Sequence, residues 1–120
     1  MEKEFVPYEL AVKLKALGFD KECFGAYHNE NYLDLESKEY DYSYAVKAPL
    51  FQQAFRWFRE KGYDVKVIKE SPGLYFGFYW NGAAWIMVGN GTYEASELAC
   101  LDKLIEIVEQ TERIEHGIYQ

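Results

Sequence analysis

LYFGFYWNGAAWIMVGNGTYEASELACL, residues 74 to 101, contains the reversal on which the fold turns. Two apolar runs, LYFGFYW at 74 to 80 and AAWIMV at 83 to 88, flank Asn81-Gly82, a dipeptide suited to the two positive-φ positions of a type I′ turn. The stretch therefore reads as a β-hairpin. With two loop residues, the register sets Trp80 opposite Ala83, Phe78 opposite Trp85 and Phe76 opposite Met87. These large side chains share one face and are expected to lie under the helices. The other face carries Tyr75, Gly77, Tyr79, Ala84, Ile86 and Val88. It is open as a shallow tyrosine-bearing groove, unless Tyr27, Tyr32 or residues 40 to 44 fold over it as a second small core.

The reading extends in both directions from this hairpin. Downstream, Thr92 is placed to cap a helix that runs to about Gln110, with Leu98, Leu101, Leu104, Ile105 and Val108 facing inward. Upstream, Ser71-Pro72-Gly73 joins the hairpin to YDVKVIK, an alternating strand at 63 to 69. A second helix opens at Pro49 and closes at Gly62; Leu50, Phe51, Ala54, Phe55, Trp57 and Phe58 fall on one arc. Pro7 and Gly18 bracket a first helix whose stripe is Leu10, Ala11, Leu14 and Leu17. Between these helices, CFGAYH at 23 to 28 and YLDLE at 32 to 36 form a hairpin around Asn29-Glu30-Asn31. Residues 37 to 48, with Tyr40, Tyr42 and Tyr44 alternating, fit either a strand extension or an ordered loop.

The order helix, two strands, helix, three strands, helix predicts an α+β fold. Its expected form is two layers: an antiparallel sheet of about five strands with three helices mainly on one face. Residues 1–120 are read as a single domain with no repeat, and 111–120 as a frayed or weakly docked tail. The chain is 49% hydrophobic, with 11 Tyr, 8 Phe and 3 Trp, so a core needs no metal or disulfide staple. Its net charge of −7 sets the long-range field against phosphate backbones, and no nucleic-acid partner is expected. Arg56, Arg59 and Lys61 near Trp57 read as a solvated helix face. Residues 71 to 93 carry no charge, but Asn81-Gly82 interrupts the apolar run well short of the ~20 residues of a membrane-spanning helix. Cys23 and Cys100 lack neighbours at metal-ligand spacing and read as reduced, small hydrophobes. MEKEF has no export-signal pattern, so a cytoplasmic location is expected.

Chemistry-bearing patterns are sparse. His28, near a turn, and His116, in the tail, are the only histidines; neither is placed to activate a serine or cysteine, and each reads as a solvated side chain. Glu94 and Glu97 share a helix side with Leu98 and Leu101, which suits an acid–base pair or oxygen ligands for a cation; the simpler reading is acidic residues favoured in a first turn. Asp34, Glu36, Glu39 and Asp41 cluster without the order of a calcium loop. VGNGTYEA, 88 to 95, has a glycine turn before a helix, the setting in which amides hold phosphate, but Glu94 occupies the place of the third glycine.

Three blocks, PYELAVKLKALGFD at 7 to 20, PLFQQAFRWFREKGYD at 49 to 64 and TYEASELACLDKLIEIVE at 92 to 109, resemble a family of small proteins with no assigned activity from gut bacteria and their phages or mobile elements. The resemblance implies a compact cytoplasmic α+β protein of mobile-element context and transfers no functional residue. The function expected first is a non-enzymatic protein-interaction module, binding another protein or itself through Tyr75, Tyr79 and Trp57. The second is a small-ligand binder or sequestering protein that uses the tyrosines or the Gly89 to Thr92 turn. A hydrolase-like enzyme using Glu94 and Glu97 is third. No cofactor or metal is expected.

Overall fold

The computed structural model describes residues 4–35 and 45–115, which group into two compact units, 1–54 and 55–120. Tyr40, Tyr42, Tyr44 and His116, with most of the acidic cluster at 34 to 41, lie outside the described residues.

In the first unit α1, Tyr8–Ala16, buries Leu10, Ala11 and Leu14 and stops where Gly18 takes a φ of 98°. Three short strands follow: β1 (Gly25–Asn29), β2 (Tyr32–Asp34) and β3 (Val46–Ala48), in the spatial order β2-β1-β3, all antiparallel. The strand β3 resolves part of the segment that periodicity left open. Tyr27 fixes this sheet to the N-terminal segment, its phenol donating to the Val6 carbonyl at 2.7 Å, while the Val6 amide donates to the Pro49 carbonyl at 2.8 Å. The division between the units falls within α2, Phe51–Glu60. This helix begins with Gln53 reaching back to accept the Leu50 amide at 2.9 Å, half of a capping box, and ends before Gly62. Phe51, Ala54, Phe55, Trp57 and Phe58 are buried, as the apolar arc requires.

The second unit continues with β4 (Asp64–Ser71), β5 (Leu74–Trp80), β6 (Trp85–Gly91) and α3 (Tyr93–Glu115). Its sheet is antiparallel in the order β4-β5-β6. The expected single sheet of about five strands is therefore two three-stranded sheets, because β1 takes β3 rather than a strand of the second unit as its other neighbour.

The reversal at Asn81-Gly82 is a hairpin, but a wider one than expected. Trp80 pairs with Trp85, Tyr79 with Ile86 and Phe78 with Met87, leaving residues 81–84 as the loop. Only Gly82 has a positive φ, 98°, whereas a type I′ turn needs two such residues; Asn81 instead accepts the amides of Ala83 and Ala84 on its side-chain oxygen, each at 2.8 Å. The register thus slips by an even number of residues, so Phe76, Phe78, Trp80, Trp85 and Met87 still share a face.

What changes is which face the helix covers. α3 lies on the side of Gly77 and Gly89, which oppose each other across β5 and β6. A Cβ at Gly77 would come within 2.7 Å of the Ser96 carbonyl oxygen and 2.9 Å of Cys100 Sγ, and one at Gly89 within 2.5 Å of Ala99 Cβ. The two glycines form a trough, and the small residues Ala95, Ser96, Ala99 and Cys100 let the helix backbone enter it. Ser96 Oγ donates to the Tyr75 carbonyl at 3.0 Å, and Cys100 Sγ to the Phe78 carbonyl at 3.6 Å. A ring has no room over the two glycines, and Tyr75 and Tyr79 of the same face flank the contact. The expectation that Phe76, Phe78, Trp80, Trp85 and Met87 lie under the helices is overturned, and they occupy the opposite face. Thr92 caps α3 as expected, its Oγ1 accepting the Ala95 amide at 3.0 Å, while Glu97, Leu101, Leu104, Ile105 and Val108 are buried. Leu98, read as inward, is 39% exposed, and the helix continues past Gln110 to Glu115.

Because neither the Ser96 backbone nor β5 can yield cheaply, Gly77→Val is expected to destabilise the protein by about 2–3 kcal/mol in urea unfolding, with Gly89→Val similar. A change below about 0.5 kcal/mol in both would contradict the close helix–sheet contact.

Candidate functional site

The face of β4-β5-β6 turned away from α3 is built by alternation. Asp64, Lys66 and Ile68 of β4 stand opposite Trp80, Phe78 and Phe76 of β5, which in turn oppose Trp85, Met87 and Asn90 of β6. Trp80 and Trp85 pack with ring centres 5.3 Å apart, and Phe76 and Phe78 meet edge to face at 6.5 Å. The Lys66 ammonium lies 4.3 Å from the centre of the Trp85 ring and 5.6 Å from that of Phe78, a cation held over two aromatic faces. Ile68, Trp85 and Met87 are 41%, 36% and 49% exposed, and Phe76, Phe78 and Trp80 are half-buried. Taking roughly 200 Å² per large side chain, the first three alone leave on the order of 250 Å² of mostly apolar surface in water. With the half-buried rings added, the patch reaches the ~300–600 Å² at which the largest patch of a monomer is often functional.

The residues singled out from sequence are distributed differently. Tyr75 and Tyr79 are half-buried on the α3 side of the sheet, with Tyr75 edge-to-face against Tyr93 at 5.5 Å, so they do not form an open groove. Trp57 is 5% exposed, packed on Phe58 and overlain by the Lys61 ammonium at 4.5 Å, which removes it as a surface anchor. Gly89 is not in a turn but within β6 under Ala99, and the Thr92 hydroxyl is occupied as the helix cap. Of the glycines of VGNGTYEA, Gly89 therefore serves helix–sheet packing and Gly91 takes the positive φ, 124°, at the end of the strand.

Glu94 is exposed while Glu97 is buried and bonded to the Tyr93 side chain, so the two carboxylates occupy unlike surroundings. Burial first, and then Glu97, hold the Tyr93 phenol above its ordinary value. His28 is half-buried on β1, 3.2 Å from Asp34 and stacked on Tyr32 at 5.1 Å. It is thus not the solvated side chain expected. Among the described residues no group of three His, Cys, Asp or Glu side chains is placed to hold a metal ion, the cysteines are free, and no helix is long and apolar enough to cross a membrane.

In the first unit Ala11, Lys15, Phe19, Asp20, Ala45 and Lys47 line a cavity of about 150 Å³. Lys15 Nζ donates to the Ala45 carbonyl at 3.3 Å and Lys47 Nζ to that of Asp20 at 3.0 Å. The cavity falls below the ~300–1,000 Å³ of typical ligand pockets.

Lys66 and Ile68 are residues of the open face that sequence reasoning left without a role, and Met87 is one that it assigned to the core under the helices. The signal was the alternation of DVKVIK, which puts Lys66 in line with Phe78, together with the small residues of α3 that select the other face. No family model, no curated protein and no solved structure matches the chain.

Both thiols are pushed up from 9.0 to about 11 by burial, offset in part by Lys47 at Cys23 and by the backbone bond to Phe78 at Cys100. Neither is a ready nucleophile at neutral pH. Between pH 9 and 11 the unfolded chain has released thiol protons that the folded chain retains, so this contribution is complete below 9 and is lost as pH rises through about 11. The unfolding free energy is expected to fall across that window, and to fall less in Cys100→Ala; parallel pH profiles for the two proteins would refute the burial of this thiol.

Proposed function

We propose that the protein is a non-enzymatic protein-interaction module whose contact surface is the α3-free face of β4-β5-β6. The observation that carries this reading is the inversion of the hairpin: glycine faces the helix, and Phe76, Phe78, Trp80, Trp85 and Met87 face outward around Lys66. Rings that make no contribution to the helix–sheet core are held in a rigid ladder, where aromatic anchors bind at low cost in side-chain entropy. The unlike placement of Glu94 and Glu97 and the high thiol values give an enzymatic reading no comparable support. A mobile-element context rests on the resemblance of the three sequence blocks.

Affinity capture from the native host tests the surface. Met87→Glu and Trp85→Ala are expected to reduce retained partner proteins at least about tenfold, the scale of a central anchor, while Glu94→Ala retains them. Equal retention by all four baits would reject the face.

A second reading, small-ligand binding, is favoured by the cavity between Lys15 and Lys47. A cavity of about 150 Å³ is the size that holds a single benzene ring, so the class it fits is a small carboxylate with an apolar body. Thermal-shift titration with benzoate is expected to raise the melting temperature of the protein and to leave that of Lys47→Ala unchanged. No shift in either would remove this reading.

A further inference from the structure

We infer that the outer edge of β6, which no other described strand pairs, pairs with the same edge of a second copy, antiparallel about a two-fold axis at Ile86, so that Trp85 of each copy lies against the partner's Met87. The inference rests on the outward aromatic face being a contact surface and names a second copy of this chain as an occupant.

β6 is an edge strand in the order β4-β5-β6. Hydrogen-bonded and non-bonded pairs alternate along an antiparallel ladder, and the bond from the Asn81 amide to the Ala84 carbonyl at 3.1 Å sets the parity. Tyr79 and Ile86 then exchange bonds with each other, while Trp85 and Met87 direct their backbone amides and carbonyls away from β5. A second β6 centred on Ile86 presents the complementary set. Trp85 and the partner's Met87 become a bonded pair on the aromatic face, where a thioether against an indole edge is favourable, and the two Ile86 side chains meet on the opposite face.

Charge selects a second copy for this edge. The chain carries −7, so most of its surface meets its own image with repulsion, but residues 71 to 93 hold no charged side chain. The opposite edge, β4, has Asp64, Lys66, Lys69 and Glu70, the usual protection against edge pairing; β6, WIMVGNG, has no charge and no proline. The bulge at Val88 bends the strand after Met87 and confines the ladder to Trp85, Ile86 and Met87, which are 36%, 41% and 49% exposed. Because the same edge is used in both copies and the β4 edges are charged, the assembly closes as a dimer rather than growing. Those three residues in two copies would bury roughly 500 Å² of side-chain surface, far below the ~1,200 Å² of a stable complex, so the dimer is transient and forms only at high concentration.

Sedimentation of the full chain from about 10 μM to 1 mM is expected to show the average mass rising from monomer towards dimer across that range. Met87→Pro removes an outward amide that β5 does not use, and Ile86→Lys, at a position 41% exposed, brings two cations directly opposite each other at the dyad; each is expected to stay monomeric over the range, with circular dichroism confirming the fold. In the native sequence, the amide resonances of Trp85 and Met87 should shift with concentration more than that of Ile86. A monomer at 1 mM, or a dimer that both variants preserve, would overturn the pairing. Should the chain prove monomeric while Met87→Glu still loses its captured partners, the second copy is wrong and the interaction face stands.

Discussion

Contact between α3 and the glycine trough of β5 and β6 governs the second unit. With Gly77 opposite Gly89 and a Cβ at either position blocked by Ser96, Cys100 or Ala99, the helix axis is drawn close enough for its hydroxyl and thiol to bond strand carbonyls directly. A sheet has two faces and a period of two, so once one face takes the helix the alternate residues are committed to the other. Phe76, Phe78, Trp80, Trp85 and Met87 are outside because of that commitment. Exposing such rings is unfavourable by an amount proportional to their area, about 25 cal/mol per Å², and the tight helix contact has to offset it.

Partial relief comes from within the face. Trp80 and Trp85 cover each other, Phe76 and Phe78 do likewise, and the Lys66 stem lies across the sheet to place its ammonium over two rings. The patch is therefore organised while still partly in water, which separates it from apolar residues scattered singly over a surface. In the first unit the equivalent organising contact is polar, with the Tyr27 phenol buried on the Val6 carbonyl and Val6 in turn bonded to Pro49.

The elements were legible where their signals are local. Leu10, Ala11 and Leu14 of α1, the arc from Phe51 to Phe58, the limits of β5 and the Thr92 cap all follow from periodicity, glycine stops or capping chemistry within one turn or strand. The orientation of the hairpin was not, because both of its faces are apolar and alternation assigns residues to faces without saying which one is covered. The deciding information lies outside the hairpin, in Ala95, Ser96, Ala99 and Cys100 of the helix that follows it. The loop failed for a subtler reason: Asn81 satisfies amides with its side chain, so it had no need of the left-handed backbone that the dipeptide made available. The division into two sheets turned on β3, a strand too short for its pattern to register.

Lys66 also gives the open face a chemical preference. An ammonium resting on Trp85 and Phe78 keeps part of its hydration, and whatever lies down over those rings has to strip or replace that water. A purely aliphatic guest offers no substitute oxygen and is disfavoured, whereas a guest that supplies a carbonyl or carboxylate next to an apolar group satisfies both. The lysine therefore works as a filter, discriminating among greasy visitors by whether they also bring an acceptor.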